Sequence, residues 1–494
     1  MSLITGLNMG RGALQAQQSA LQVIGNNIAN VNTPGYCRQK VNLKTGLPQT
    51  DPIGQISSGV TVESASRARD VLLNRILRRE TQNLGHYETL KNSLEQIESI
   101  FNEPSETGLS SLMSQFFNAW EDLANNPEHL SARMALRERG TALAKAINET
   151  HFRLSQLQED IGETLKGKIE EVNNIAQQIA NLNQQIKTTE ASKKIANELR
   201  DRRDLLVDQL SSFVDIDVLE TEDGTLTINA GQKNLVSGMY ASEFGIEGDS
   251  RSLSVRYVPT PSAKAELFLK FGEGQETTVN VRNGELKGLL DVHNNIIPDY
   301  QKRLDDLAAG LAKEVNELHK TGFGLDGSTG QSFFTFTSAS SNPPDPLYKG
   351  GNHRGESYSD NTGAASTIAL DEAIAADVKK IATSAEIDAP SDNSIALMIS
   401  QLRTKEVMNE DTATLSDFYQ SMIAELGAQS QNAAQFRDAQ ELVVSQIHQR
   451  RESVSGVSLD EEAIDLVNYQ SAYQAAARYI NAINELLDVV VNRL

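Results

Sequence analysis

The chain carries a single cysteine, Cys37, in 494 residues. That excludes an internal disulfide and any zinc site built from several thiolates. Aromatic residues reach only 5% and apolar residues 39%. Those values are thin for one large globular core but adequate for long helices, which bury narrow stripes. No stretch approaches the roughly 18 consecutive apolar residues of a membrane span. The start, Met1-Ser2-Leu3-Ile4-Thr5-Gly6, has no basic region followed by an apolar run, so no secretory leader is expected. Work outside the cell would then need a dedicated exporter. Carboxylates outnumber cations to give a formal charge of −21. Such a chain repels polyanions, so neither a nucleic acid nor a membrane is an expected partner.

Motifs that carry chemistry are equally sparse. Gly322-Phe323-Gly324-Leu325-Asp326-Gly327 matches GxGxxG, but it follows a helical pattern and precedes a polar loop. Dinucleotide binding needs a strand before and a helix after, so a plain glycine-rich turn is expected. Asp326 and Ser328 are too few oxygen ligands for a calcium loop. The histidines (His86, His129, His151, His293, His319, His353, His448) form no HxxxH or HExxH pair. There is no P-loop and no GxSxG. The many carboxylates read as a solvated helix face, and Cys37 as a partly buried small residue. No catalytic, cofactor-binding or metal site is expected, and no cofactor.

What the chain does have lies at its two ends. Leu466, Tyr469, Tyr473, Ala476, Ile480, Ile483, Leu487, Val490 and Leu494 form an apolar ladder in steps of three and four. Leu3, Leu7, Gly10, Leu14, Gln17, Leu21, Ile24, Ile28 and Val31 nearly repeat it. A seven-residue repeat is the spacing of a coiled-coil seam. Two sticky ends serve to join other chains or to pair with each other, which points to assembly rather than catalysis.

Between the ends the period changes several times. Residues 3 to about 31 read as one helix rich in Gly and Ala, stopped at Asn30-Val31-Asn32-Thr33-Pro34-Gly35-Tyr36. Pro34-Gly35 suits the centre of a type II turn. Residues 37–63 read as extended. Helices are expected over 65–102, over a short segment with Leu109, Leu112, Met113, Phe116, Phe117 and Trp120 on one face, after Pro127, and over 151–213 as the longest element. Residues 214–284 alternate like strands, with hairpin signals at Asp223-Gly224 and Asn283-Gly284. Strands are expected at 225–228, 253–257, 267–271 and 277–281. Helix returns over 285–319 and 394–450, and Ser458-Leu459-Asp460-Glu461 fits a capping box.

The expected fold is mainly α with β insertions, an elongated multi-domain rod. Its N- and C-terminal helices would pair in a coiled-coil-like inner layer (1–64 and 452–494). A long-helix bundle forms the middle (65–213, 285–320 and 394–451). A β domain is inserted at 214–284, and an irregular, β-containing segment at 321–393.

One stretch is recognisable. Ala20-Leu21-Gln22-Val23-Ile24-Gly25-Asn26-Asn27-Ile28, followed by Ala29-Asn30-Val31-Asn32-Thr33-Pro34-Gly35-Tyr36, resembles the N-terminal signature of the bacterial flagellar rod, hook and hook-associated proteins. At the other end Val457-Ser458-Leu459-Asp460-Glu461-Glu462-Ala463, Leu466 and the run Tyr469 to Arg478 are similar to the hook-associated branch of that family, as are Leu286-Lys287-Gly288-Leu289-Leu290 and 321–327. The resemblance is weak over 321–393, and no role is carried over from it there. It implies a structural subunit of the flagellum at the junction of hook and filament, exported by the flagellar type III apparatus after a transient stay in the cytoplasm. The implied partners are identical subunits in a ring or helical tier, hook protein, the next hook-associated protein on the filament side, and a cytoplasmic export chaperone. Alternatives from the residues themselves are another axial subunit such as hook or rod protein, a cytoplasmic coiled-coil scaffold, or an enzyme with a dispersed site.

The ladders and the signature together define the expected assembly face. It comprises Leu7, Leu14, Leu21, Ile24, Ile28, Asn30, Thr33, Pro34, Gly35 and Tyr36, with Leu466, Tyr469, Tyr473, Ile480, Ile483, Leu487 and Val490. The resemblance places the chaperone contact on Tyr473, Ile480, Ile483 and Leu487. Such ends are expected to stay frayed until neighbouring subunits cover them.

Overall fold

In a computed structural model the described residues are 3–46, 48–51, 54–192, 194–249, 252–258, 277–337 and 361–492. Helix α1 (Leu3–Ala29) opens the chain. A twisted ribbon follows, in which β1 (Gln39–Thr45) pairs antiparallel with β4 (Val60–Arg67), bulged between Asn42 and Leu43. The short strands β2 (Pro48–Asp51) and β3 (Gly54–Ser57) lie between them and pair with each other. α1 lies on this ribbon so closely that a Cβ on Gly12 would sit 2.8 Å from the Val60 carbonyl oxygen.

The bundle begins with α2 (Val71–Phe101), whose first turn is capped by the Asp70 carboxylate accepting the Leu73 N–H. Helix α3 (Leu109–Asn125) buries Leu109, Met113, Phe116, Phe117 and Trp120, the face its spacing dictates. The longest helix is α4 (Leu130–Glu190), with 61 residues and a length of roughly 90 Å. The expected boundary near 151 is therefore absent, because nothing between Leu143 and Leu154 interrupts the buried stripe. A break comes instead at 191–196, before α5 (Asn197–Phe213). There the Glu190 carboxylate accepts the Ala196 N–H and pairs with Arg200, so a tertiary contact sets the bend where no Pro or Gly announces it.

The β domain begins with a four-stranded meander: β5 (Ile216–Glu220), β6 (Leu226–Ala230), β7 (Lys233–Ser237) and β8 (Tyr240–Ala241). Asp223-Gly224 turns the chain between β5 and β6, with Gly224 at φ 81°. A second sheet has the order β11-β10-β9, from β9 (Glu243–Asp249), β10 (Ser252–Val258) and β11 (Thr277–Val279). The strand expected at 267–271 falls outside the described residues. Both sheets dock on α4 through asparagines. Asn183 donates to the Leu226 and Gly238 carbonyls, and Asn173 exchanges two hydrogen bonds with the Phe244 backbone. Asn283-Gly284 is not a hairpin. Gly284, at φ 88°, begins α6 (Glu285–Asp291) and is pressed against Phe213.

A π-helical turn, Val292–Ile296, joins α6 to α7 (Ile297–His319). The irregular segment holds β12 (Phe334–Thr335) paired with β13 (Ala369–Leu370), and the short helices α8 (Ala364–Thr367) and α9 (Glu372–Ala376). It closes the end of the bundle around Phe116, Trp120, His319, Phe333 and Phe334. Arg133 is fully buried there and donates to the Pro127 and Ile381 carbonyls and the Thr383 hydroxyl. The helix expected over 394–450 is two elements, α10 (Ser394–Gln401) and α11 (Leu415–Ser455). α11 runs antiparallel to α2, Tyr87 stacking on Phe436 and Gln440 donating to the Glu80 carbonyl. The last helix, α12 (Leu459–Asn492), returns to α1.

Candidate assembly interface

α1 and α12 pair antiparallel within one chain, as expected of the two terminal helices. The contact on α1 differs from the leucine ladder. Gly6, Gly10, Ala16, Ala20 and Ile24 are buried, whereas Leu7, Leu14, Leu21 and Ile28 lie half-buried along the flank. The reason is distance. A Cβ on Gly10 would fall 2.6 Å from Ile480 Cγ1, and one on Gly6 would fall 2.7 Å from Ile483 Cδ1. Glycine lets the two backbones approach closely, and the larger residues are displaced to the side. On α12, Ile483 is buried, and Leu466, Tyr469, Ile480 and Leu487 are half-buried. Tyr473 and Val490 are exposed, as are Ile464, Val467, Leu486 and Val489 on the far side.

The signature turn contributes a polar clamp. Tyr36 N–H donates to the Thr33 carbonyl across Pro34-Gly35, with Gly35 at φ 77°. The Gly35 backbone rests on Leu205. Tyr36 then folds back, and its hydroxyl donates to Asn27 Oδ1 at 2.8 Å. Burial, with the charges of Asp201 and Glu198 beside it, pushes this phenol up to about 12. Asn27 also accepts the Gln39 N–H and donates to the Gln39 carbonyl and to Glu462 Oε2. Glu462, 1% exposed, receives Arg38 Nε at 2.6 Å. Ser458 Oγ accepts the Glu461 N–H, one half of the expected capping box, while the Glu461 carboxylate is taken by Arg38. Asn30 donates to Asn26 and Thr33 to Asn30, which leaves Thr33, Pro34 and Gly35 as the exposed part of the turn.

Next to the clamp lies an ionic seam that fastens the terminal pair to the bundle. Arg67 donates to Asp201 and Asp204, and Arg69 pairs with Asp204. Arg78 and Arg451 share Asp208. Burial raises the Asp204 carboxyl, but Arg69, Arg67 and Arg78 outweigh it and hold the group below its ordinary range. Cys37 donates its N–H to Asp201. Its thiol is pushed up to about 12 by burial and then by Asp201, so it is not poised to react. A cleft of about 380 Å³ opens between the turn, α5 and the end of α11, lined by Pro34, Tyr36, Arg69, Asp204, His448 and Arg451.

The sequence already placed Gly10 in the ladder and gave α1 the small residues that permit close approach, but the expected assembly face was drawn through the leucines and not through Gly6 and Gly10. Asn27 and Glu462 lay within the two recognised stretches but without a stated role, and Arg38, Gln39, Asn197 and Asp201 gave no local signal, because their partners are distant in sequence. Among the described residues no group of His, Cys, Asp and Glu could hold a metal ion, and no helix is long and apolar enough to cross a membrane.

Residues 94–334 match the Flagellar hook-associated protein FlgK helical domain. Residues 7–36 match the Flagella basal body rod protein family, and residues 448–494 match the Flagellar basal body rod FlgEFG protein C-terminal family. Flagellar hook-associated protein 1 of Bacillus subtilis is 30% identical over 99% of this chain and 98% of its own. The Salmonella typhimurium protein of the same name is 25% identical over 98% and 99%. The flagellar hook junction protein FlgK from Burkholderia pseudomallei shares the fold with a TM-score of 0.65, at 17% identity, covering 77% of this chain and all of that one. With two signature ends, a helical middle and a full-length relative at 30% identity, the chain belongs to the flagellar hook-associated protein 1 family.

Proposed function

We propose that this chain is a structural subunit at the hook–filament junction of the bacterial flagellum, with no catalytic role. The observation that carries the reading is the terminal pair. Two helices brought together through Gly6 and Gly10 leave apolar residues on both outer sides: Leu7, Leu14 and Leu21 on α1, and Ile464, Val467, Leu486 and Val489 on α12. The α12 stripe is exposed and the α1 leucines are half-buried, and an exposed apolar stripe marks an interaction surface. Identical copies would cover them in a ring or helical tier, with hook protein on one side and the next hook-associated protein on the other. Thr33 and Pro34, exposed at the turn, belong to the same surface.

Export through the flagellar type III apparatus, after a short cytoplasmic stay, fits this role. A chaperone gripping Tyr473, Ile480, Ile483 and Leu487 would meet a face on which α1 packs against Ile480 and Ile483 in the folded chain, with Tyr473 exposed. It would therefore hold α12 before the two ends pair. A hook or rod subunit is the second reading, and the helical domain matched over 94–334 favours the junction role. Ile480→Asp is the test. It places a carboxylate against Gly10, and the bundle should melt as in the parent while incorporation and swimming fail. A variant that swims normally would remove the terminal pair from the mechanism.

A further inference from the structure

Away from the terminal pair, one side of the α2–α11 pair is apolar and open. Phe436, Val443 and Val454 are 57%, 40% and 44% exposed, and Ile447 is half-buried among them. Their spacings are seven, four and seven residues, so at about 100° per residue they share one stripe of α11. Tyr87 on α2 stacks on Phe436 with ring centroids 5.3 Å apart, and Ile76 continues that flank. The opposite side of the pair is filled: Arg78 from α2 and Arg451 from α11 both reach Asp208 on α5. The open side is thus a shallow groove between two helices.

Its charge is unusual for this chain. An open face in a protein of formal charge −21 should carry carboxylates. Beside the stripe stand Ala439, Gln446 and Arg450, while Asp438, Glu441 and Glu452 fall on the other side of α11; on the α2 wall Glu80 shares the Ile76–Tyr87 face, and its carboxylate is paired with Arg79 and accepts from Asn83 and Gln440. A charge-poor apolar centre is the composition of an interface core, where an unpaired carboxylate would be costly. The occupant must be equally free of charge and helical in period. α1 meets both conditions. Arg11 is its single charged residue, and Leu7, Leu14, Leu21 and Ile28 recur every seventh position, half-buried beside α12. The lengths agree as well, since 436–454 spans about 27 Å and 7–28 about 32 Å of helix.

We propose that the α2–α11 groove receives the leucine flank of α1 from a second copy of this chain. The proposal rests on the assembly reading above and names the surface that a neighbour's terminal helix meets. The chain's own α1 is held against α12 by Gly6, Gly10 and the Asn27–Glu462 contact, so the groove is filled in trans.

The test uses the full chain carrying Cys37→Ser, with Leu14→Cys and Val443→Cys added together or singly, assembled in cells and treated with a mild oxidant. The double variant should run as disulfide-linked dimers and higher species of this chain on a non-reducing gel, and each single variant as monomer. In parallel, Val443→Glu should lower incorporation roughly tenfold or more, while Leu442→Glu, on the far side of α11, should leave it unchanged. Melting temperatures of both glutamate variants separate misfolding from lost contact. Absence of the linked dimer, a link to a different protein, or equal behaviour of the two glutamate variants overturns the groove. If that happens while Ile480→Asp still abolishes incorporation, the assembly reading stands without it. If Ile480→Asp assembles normally, the underlying reading falls first.

Discussion

Asn27 donates to Glu462 at 3.0 Å across 435 positions of sequence. That single contact ties the last turns of α1 to the first turn of α12, and Arg38 closes it from the signature turn. The two ends of the chain are thereby fixed to each other and, through Asn197 and Asp201, to the bundle.

Glu462→Ala should loosen this joint. It leaves Arg38 with only the exposed Glu461 and the more distant Asp465 as anionic partners, and leaves Asn27 one acceptor short. A cost of about 1–3 kcal/mol is expected. The loss should appear as faster amide exchange over 24–39 and 459–470, with α4 unchanged. Equal protection in parent and variant would show that the clamp holds nothing.

Gly10→Ala places a methyl group 2.6 Å from Ile480 Cγ1, so the helices must separate. About 1–3 kcal/mol of terminal-pair stability should be lost. Gly25 has nothing within 4 Å of an added Cβ, and Gly25→Ala should gain roughly 0.5–1 kcal/mol from helix propensity. Exchange protection of α1 in the two variants should move in opposite directions. A neutral Gly10→Ala would contradict the close crossing.

Acid should weaken the far end of the bundle. His319 is 1% exposed; Nδ1 faces the Gln331 carbonyl at 2.8 Å, and Nε2 accepts the Ala382 N–H at 2.9 Å. The ring is therefore neutral, with its proton on Nδ1. Burial is the main cause that lowers it from the ordinary 6.5 to about 4. Because the folded value is depressed, the unfolded chain takes up the proton first. The contribution is complete above pH 6.5 and is lost as pH falls toward 4, up to roughly 3 kcal/mol. Melting temperature should decline over that window, and His319→Gln should flatten the decline, leaving the part due to His86 and His151, which burial also lowers. An unchanged slope in His319→Gln would contradict the assignment.

Local periodicity made the helices and their apolar faces legible. Leu109, Met113, Phe116 and Trp120 pack as their spacing requires, and Pro34-Gly35 turns where expected. The illegible features are those fixed by distant partners. The bend after Glu190 depends on Arg200 and Ala196. Gly284 looked like half of a hairpin and instead begins a helix against Phe213. Leucines were expected at the terminal contact because they recur at the seven-residue spacing of a seam. Glycines took it because backbone approach decides which face meets its partner.

The central claim is that the outer flanks of the terminal pair are covered only by other subunits. Amide exchange over residues 3–29 and 459–492 should be compared between the free chain and the chain incorporated at the hook tip. The account predicts slow exchange at the Gly6–Gly10 crossing in both states, and at least roughly tenfold slowing through the rest of both helices on incorporation. Identical protection in the free and incorporated chains would contradict it.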